Sequence, residues 1–422
     1  MTSEERKQAL ESIVANNNPV ATGHLLTFQG VTRGFDVYNI PMDLLLYNPY
    51  NGRIGSVAQT FEKQDHVLDP SNPSDAKQIE KFLWESKLSA NQKTEESLKR
   101  YGQLKFGIVT AEGIIIDGNR RASIMNRIRK SPSSSTDEKA RCEYFKAVIL
   151  PPAQKKEILQ LETSYQMGED AKVDYNPIEK YLKCEQLKSV GYFEDDIAEM
   201  MSIKKSEVVT YLEILDLMKD YLSTYGYDGI YALAAGHEDS FIKLHSALKG
   251  YNSGVSTMWD YKKKDINDLK LVAFDYIRLN LPQNDIRDIF LKPTNTRNSI
   301  FGSKEIWNSF LEEHNRVMDS VAEVDVDDYR AQSNEPDLVK CLQARDADWR
   351  KQVNDKLESN FDSGKDAINS IQQAKQPLIL LNKALAALNS IDQNADAFVN
   401  NESEIVDKLS QIIDIAQGLK SN

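Results

Sequence analysis

Ile114-Ile115-Ile116-Asp117-Gly118-Asn119-Arg120-Arg121-Ala122 runs a β-branched stretch into a corner made of one glycine and two arginines. Beyond the corner, apolar residues at Ala122, Ile124, Met125 and Ile128 fall at helical spacing, so the segment reads as strand, turn and helix. A helix start leaves backbone N–H groups without intrahelical partners, and guanidinium forks beside them make a ready anion site. Phosphate is the natural guest. The same residues also suit a solvated turn with both arginines in ordinary salt bridges, so this corner alone does not decide the function.

Outward from this corner, Val37-Tyr38-Asn39-Ile40-Pro41, Phe106-Gly107-Ile108-Val109 and Gly113-Ile114-Ile115-Ile116 are short, β-branched and turn-bounded. Residues 75–88 and 94–101 carry helical patterns, and Asp69-Pro70-Ser71-Asn72-Pro73-Ser74 and Ser131-Pro132-Ser133-Ser134-Ser135-Thr136 are loops. Residues 36–150 therefore read as a small α/β domain behind an extension, residues 1–35. From Pro151 the strand signals fade. Apolar residues recur at helical spacing through Ile158, Leu161, Ile178, Tyr181, Ile197, Met201, Val208 and Leu215.

Breaks at Asn252-Ser253-Gly254, at Lys292-Pro293-Thr294-Asn295 and in the acidic run Glu323 to Asp328 divide the helical part into residues 151–250, 251–330 and 331–422. The last region carries Ile379, Leu380, Leu385, Leu388, Ile405, Leu409 and Ile412, interrupted by Pro377 and a polar turn. It reads as an α-hairpin or helices seeking a partner, or as helices packed on their own domain. The fold class is α+β, a small α/β domain followed by mostly helical domains, and no internal repeat is visible.

The whole chain of 422 residues holds 52 Lys+Arg against 64 Asp+Glu, a net charge of −12. That balance argues against a protein that coats nucleic acid by bulk charge, since neutralising phosphates needs a local cationic surplus. Residues 304–422 hold 13 basic and 22 acidic side chains, whereas residues 99–146 hold 11 and 5. A polyanion would bind near the second stretch. Cys142, Cys184 and Cys341 form no CxxC pair, and His24, His66, His237, His245 and His314 do not fall at metal-ligand spacing with them. A reducing cytoplasm without structural zinc is expected. Neither a membrane span nor a signal peptide is readable.

A second turn stands upstream, in Ile40-Pro41-Met42-Asp43-Leu44-Leu45-Leu46-Tyr47-Asn48-Pro49-Tyr50-Asn51-Gly52-Arg53. Much later come Glu95-Glu96-Ser97-Leu98-Lys99-Arg100-Tyr101-Gly102 and then the Gly-x-Arg-Arg corner. Strand, Asn-Pro-x-Asn-x-Arg turn, helix ending at glycine, strand and Gly-x-Arg-Arg occur in an order that resembles the N-terminal domain of the ParB family of chromosome and plasmid partition proteins, within the ParB/sulfiredoxin fold. The resemblance continues through Leu161-Glu162-Thr163-Ser164-Tyr165-Gln166 and Tyr175-Asn176-Pro177-Ile178-Glu179, where that family usually has Glu-Asn-x-x-Arg shortly before Asn-Pro-x-Glu. It covers residues 36–220.

The resemblance implies a nucleotide, CTP or ATP, bordered by Asn48, Asn51, Gly52 and Arg53, with its phosphates on Gly118, Asn119, Arg120 and Arg121. It implies Glu162 beside Mg²⁺ and the γ-phosphate, as a metal ligand and catalytic carboxylate of a CTPase or ATPase. This sequence departs from the family in Thr163, which replaces the usual Asn, in the longer spacing from Glu162 to Asn176, and in the long stretch between Arg53 and Glu95. The sulfiredoxin branch is set aside because its cysteine nucleophile is replaced here by Asn119.

Around Ala198, apolar Ile197, Met201, Ile203, Val208 and Tyr211 have the spacing of a helix-turn-helix with Ser202 in the turn. Lys204, Lys205 and Ser206 suit DNA phosphates and Thr210 a base edge, while Glu207 and Glu213 oppose them. The same pattern fits a helix pair kept only for packing. Three functions follow: a nucleotide-dependent DNA-binding homodimer or clamp; a ParB-fold NTPase, phosphotransferase or nuclease of a mobile-element or phage-defence system; or a scaffold with a vestigial pocket.

Overall fold

The computed structural model describes residues 1–169, 176–254, 259–291, 298–393 and 395–421. Tyr175 and the Lys292-Pro293-Thr294-Asn295 break lie outside the described residues. The chain opens with helix α1 (Ser3–Asn16), closed at its start by a Thr2/Glu5 capping box. Strands β1 (Ala21–Phe28) and β2 (Val31–Pro41) then form a hairpin whose two-residue turn, Gln29 and Gly30, takes positive φ at both positions. That conformation matches the right-handed twist of the flanking strands.

Helices α2 (Gly55–Gln64), α3 (Pro73–Glu85) and α4 (Leu88–Tyr101) follow, then β3 (Gly107–Val109), β4 (Ile115–Asp117), α5 (Asn119–Lys130), α6 (Thr136–Arg141) and β5 (Tyr144–Ile149). The five strands make one mixed sheet in the order β1-β2-β5-β3-β4, with β3 parallel to β5 and the other pairs antiparallel. One face buries Ile40, Val109, Ile115, Phe145 and Ala147 with Leu10, Ile79, Leu83, Ile124 and Ile128. The other buries Leu26, Val37, Ile108, Ile116 and Val148 with Leu161.

The N-terminal extension is thus part of the sheet: residue 36 lies inside β2, and β1 covers its edge. Strand β1, with exposed Leu25 and Thr27 facing outward and His24 packed edge-on against Phe106, carries too weak an alternation to stand out in the sequence.

Helix α7 (Lys155–Thr163) crosses the second face of the sheet and continues into a π-helical turn, Ser164–Glu169. Then come α8 (Pro177–Ser189), α9 (Glu194–Met201), α10 (Lys205–Thr224), α11 (Glu238–Asn252), α12 (Lys263–Arg278), α13 (Gln283–Phe290), α14 (Lys304–Asp319), α15 (Val326–Gln332) and α16 (Leu338–Asn389). One apolar cluster runs from Ile178 on α8 to Ile368 on α16. The boundaries near 250 and 330 consequently divide no separate cores, the second falling inside α15, and Trp349, Val353, Leu357 and Phe361 of the C-terminal region belong to the same cluster. Tyr221, Tyr225, Tyr227 and Tyr231 are buried there as core residues.

The 52-residue α16 passes through Pro377 instead of ending there. Pro377 lies on an exposed turn of this helix, where the missing N–H costs one backbone bond. Among the described residues, no helix is long and apolar enough to cross a membrane.

Candidate functional site

At the corner between β4 and α5, Gly118 adopts φ +99°, a left-handed conformation that favours glycine. A Cβ there would also lie 2.7 Å from the Phe145 ring, so the tight approach of corner and sheet admits no side chain. Asn119 opens α5 and is buried. Its Nδ2 donates to the Ile115 carbonyl at 2.8 Å, and its Oδ1 accepts the Asn48 backbone N–H at 2.8 Å. The two turns singled out in the sequence, distant along the chain, are therefore joined by one side chain.

The Asn48–Arg53 turn is tied internally. Tyr50 N–H donates to Asn48 Oδ1 at 3.0 Å, Asn51 Nδ2 to the Asn48 carbonyl at 2.6 Å, and Arg53 N–H to the Asn51 carbonyl at 2.7 Å. Self-bonded Asn side chains replace regular secondary structure here, which is why Asn recurs in the motif. Asn51 and Gly52 are buried, and Arg53 is half-buried. Gly52 and Arg53 line a cavity of about 250 Å³ together with Ser56, Phe82, Lys87, Asn176 and Glu179. A second cavity of about 360 Å³ meets Tyr50, Gly52, Gly55, Glu179 and Lys183. Neither is lined by Gly118 to Arg121.

Arg121 Nη1 donates to the Lys105 carbonyl at 2.8 Å and lies 3.3 Å from that of Phe106, while Nη2 is 3.9 Å from Asp117 Oδ2. This guanidinium holds the approach to β3. Arg120, next to Asn119, is half-buried like Arg121.

Glu162, near the end of α7, is buried. Asn48 Nδ2 donates to its Oε1 at 3.3 Å, and Lys183 Nζ of α8 approaches its Oε2 at 3.3 Å. Burial raises the carboxyl above its ordinary value, against the opposing pull of the Lys183 ammonium. Both oxygens are engaged and an ammonium stands beside them. This donor set does not fit Mg²⁺, which needs acidic or neutral oxygen ligands in its octahedron. Among the described residues, no group of three or more His, Cys, Asp or Glu is placed to hold a metal. Glu162 thus anchors the Asn48 turn.

Lys183 and Glu179 were not singled out as site residues. On α8 they stand at i and i+4, facing the same way, and Glu179 accepts the Ser56 N–H at 2.9 Å and the Ser56 hydroxyl at 2.5 Å at the start of α2. Burial raises the Glu179 carboxyl, with the Ser56 donors lowering it in part. A Glu-x-x-x-Lys pair at that spacing is common on solvated helices, so only its burial marks it.

The helix pair α9–α10 turns at Ser202, whose φ of 55° supplies the left-handed step that glycine more often provides. Its core is Ile197, Ala198, Met200, Met201 and Val208, closed by Leu159, Cys184 and Leu187. Lys204, Lys205 and Ser206 are exposed together at the start of α10. Lys205 Nζ pairs with Asp195 at 2.7 Å, and the Thr210 hydroxyl donates to the Ser206 carbonyl at 2.8 Å, which leaves its oxygen lone pairs outward. Glu207 caps the Lys204 N–H at 3.0 Å, and Glu213 is neutralised by Lys249 at 2.7 Å. The opposing carboxylates foreseen at this helix are therefore both committed locally.

No protein-family model matches the chain, and no curated protein matches it. Among solved structures it is similar to the C-terminally truncated chromosome-partitioning protein ParB from Caulobacter crescentus, complexed with CTP-gamma-S. Identity is 16%, over 50% of this chain and 92% of that one, at a TM-score of 0.19.

What the site can do follows from its own residues. A glycine corner at a helix start suits an anion, and the Arg53 turn borders two cavities that the corner does not line. The buried Glu162–Lys183 pair is worth little as net stability, because desolvation offsets the attraction, but it fixes one geometry for the Asn48 turn.

Proposed function

We propose that the chain binds a nucleoside triphosphate, CTP or ATP, between the Asn48–Arg53 turn and the Gly118–Arg121 helix start, and that loading controls how α9–α10 grips DNA in a homodimer. The observation that carries this is the Asn119 bridge to Asn48, which ties together two turns that each suit an anion. Phosphates would meet the first turn of α5 and Arg120, with Arg53 and Lys87 approaching from the cavity side. Asn51 and Gly52 shape the turn, and Glu162 orients it. In this reading binding is the controlling event. Lys204, Lys205 and Ser206 contact DNA phosphates, and Thr210 faces the bases.

The test is a calorimetric titration of CTP, ATP, GTP and UTP into the protein, with and without a mixture of duplex fragments. One nucleotide should bind, with an affinity that changes when DNA is present. Absence of binding by all four under both conditions would overturn the proposal.

A further inference from the structure

Helix α3 and the far end of α5 wall an open groove of about 690 Å³, well along α5 from the Gly118 corner. α3 falls in the long stretch between Arg53 and Glu95, where the sequence departs from the family it resembles. The two helices pack against each other, with Ile79 and Leu83 of α3 and Ile124 and Ile128 of α5 in one apolar cluster. That shared cluster sets the spacing of the groove's walls.

The charges of the groove are unevenly committed. Lys77 and Lys81, one turn apart on α3, and Lys130 at the end of α5 are exposed and make no ion pair among the described residues. Glu80 turns inward, accepting the Tyr47 hydroxyl at 2.8 Å and the Asn126 amide. Glu95 pairs with Lys99 at 2.9 Å and stands 3.9 Å from Arg127. Three lysines therefore face one uncommitted lining carboxylate, Glu85, among the described residues. Between them the Arg127 guanidinium carbon lies 4.2 Å from the centre of the Trp84 ring, and the Arg127 side chain is 56% exposed. A planar cation backed by an indole is thus presented to solvent inside a cationic groove.

We propose that the α3–α5 groove binds single-stranded nucleic acid, with Lys77, Lys81 and Lys130 on its phosphates and one base stacked on the Arg127 guanidinium that Trp84 backs. Like charges one helical turn apart repel, and successive phosphates of a strand relieve that repulsion at both positions. A small anion would use one of these cations and leave the others unpaired. An acidic peptide would use the lysines and leave the stacked face idle. A strand uses both, since spaced cations for the backbone and a flat face for a base are how grooves hold single strands irrespective of sequence. The groove is separate from the triphosphate site and from α9–α10.

The test is fluorescence anisotropy of a labelled oligothymidylate of roughly 12 nucleotides, a length suited to one such groove, titrated with the full-length protein across a salt series. The wild type should bind with salt-sensitive affinity. Lys77→Ala with Lys81→Ala should weaken binding and flatten the log–log slope by about 1.4, at roughly 0.7 per single-strand phosphate. Both side chains are exposed, so neither change should unfold the protein. Arg127→Lys keeps the charge and removes the planar face, so it should lower affinity about fivefold or more with the slope unchanged.

No binding by the wild type, a Lys77→Ala, Lys81→Ala protein with the wild-type slope, or an Arg127→Lys protein with wild-type affinity would overturn the proposal. Loss of oligothymidylate binding in Lys204→Ala with Lys205→Ala would place the strand on α10 and overturn it as well. So would an oligoglutamate that competes as well as unlabelled oligothymidylate of equal charge, which would make the groove a site for acidic protein segments. None of these results bears on triphosphate binding between the two turns, which the calorimetric titration decides separately.

Discussion

Asn119 Oδ1 accepts the Asn48 backbone N–H at 2.8 Å, and this contact joins two turns distant along the chain. Asn119→Ala strips a partner from the Asn48 N–H and another from the Ile115 carbonyl, with a stability loss of about 1–3 kcal/mol for the orphaned groups. Asn119→Asp keeps the acceptor for Asn48 but adds negative charge where phosphates are expected. Urea melts should therefore show the larger loss for Ala. Nucleotide titrations should show the larger loss for Asp, and equal losses in both assays would contradict the assignment.

The corner arginines give a second expectation. Arg121→Ala frees the carbonyls of Lys105 and Phe106 and should lower the melting temperature along with affinity. Arg120→Ala should lower nucleotide affinity about tenfold or more, the scale of a charge-assisted contact of roughly 1.5–3 kcal/mol. Unchanged affinity in a calorimetric titration of Arg120→Ala would contradict its place at the phosphates.

Much of this arrangement was legible in the sequence. The strand, corner and helix at Ile114 to Ala122, the Asn48–Arg53 turn and the α9–α10 pair all show local patterns that needed no tertiary information, because β-branched runs, Gly and Asn turns and helical spacing are short-range signals. The rest depends on burial. Nothing local distinguishes Arg121, which serves Lys105, from Arg120. Nor does any motif say that Lys183 would lie beside Glu162, since the two residues meet only when α7 and α8 pack. β1 was missed because its pairing with β2, and not its own composition, makes it a strand.

Burial of Glu179 implies a pH dependence. Its carboxyl titrates above the ordinary 4.5 when folded, chiefly through burial, so in that window the folded chain keeps a proton that the unfolded chain has released. Stability must then fall as pH rises from about 4.5 through the folded value, since the unfolded state binds fewer protons there. Melting temperatures recorded from about pH 5 to pH 7 should decline less steeply in Glu179→Gln than in the wild type. Identical slopes would show that Glu179 is ionised throughout that range.

DNA binding coupled to nucleotide is the central claim, and fluorescence anisotropy of labelled mixed-sequence duplexes across a salt series, with and without saturating CTP or ATP, tests it most directly. The account predicts that one nucleotide shifts DNA affinity at least about threefold, and that Lys204→Ala with Lys205→Ala weakens binding to every sequence and flattens the log–log salt slope by up to about 1.8. Thr210→Ala should alter the preference among sequences instead. Superimposable wild-type isotherms with and without both nucleotides, or no salt-sensitive binding at all, would contradict it.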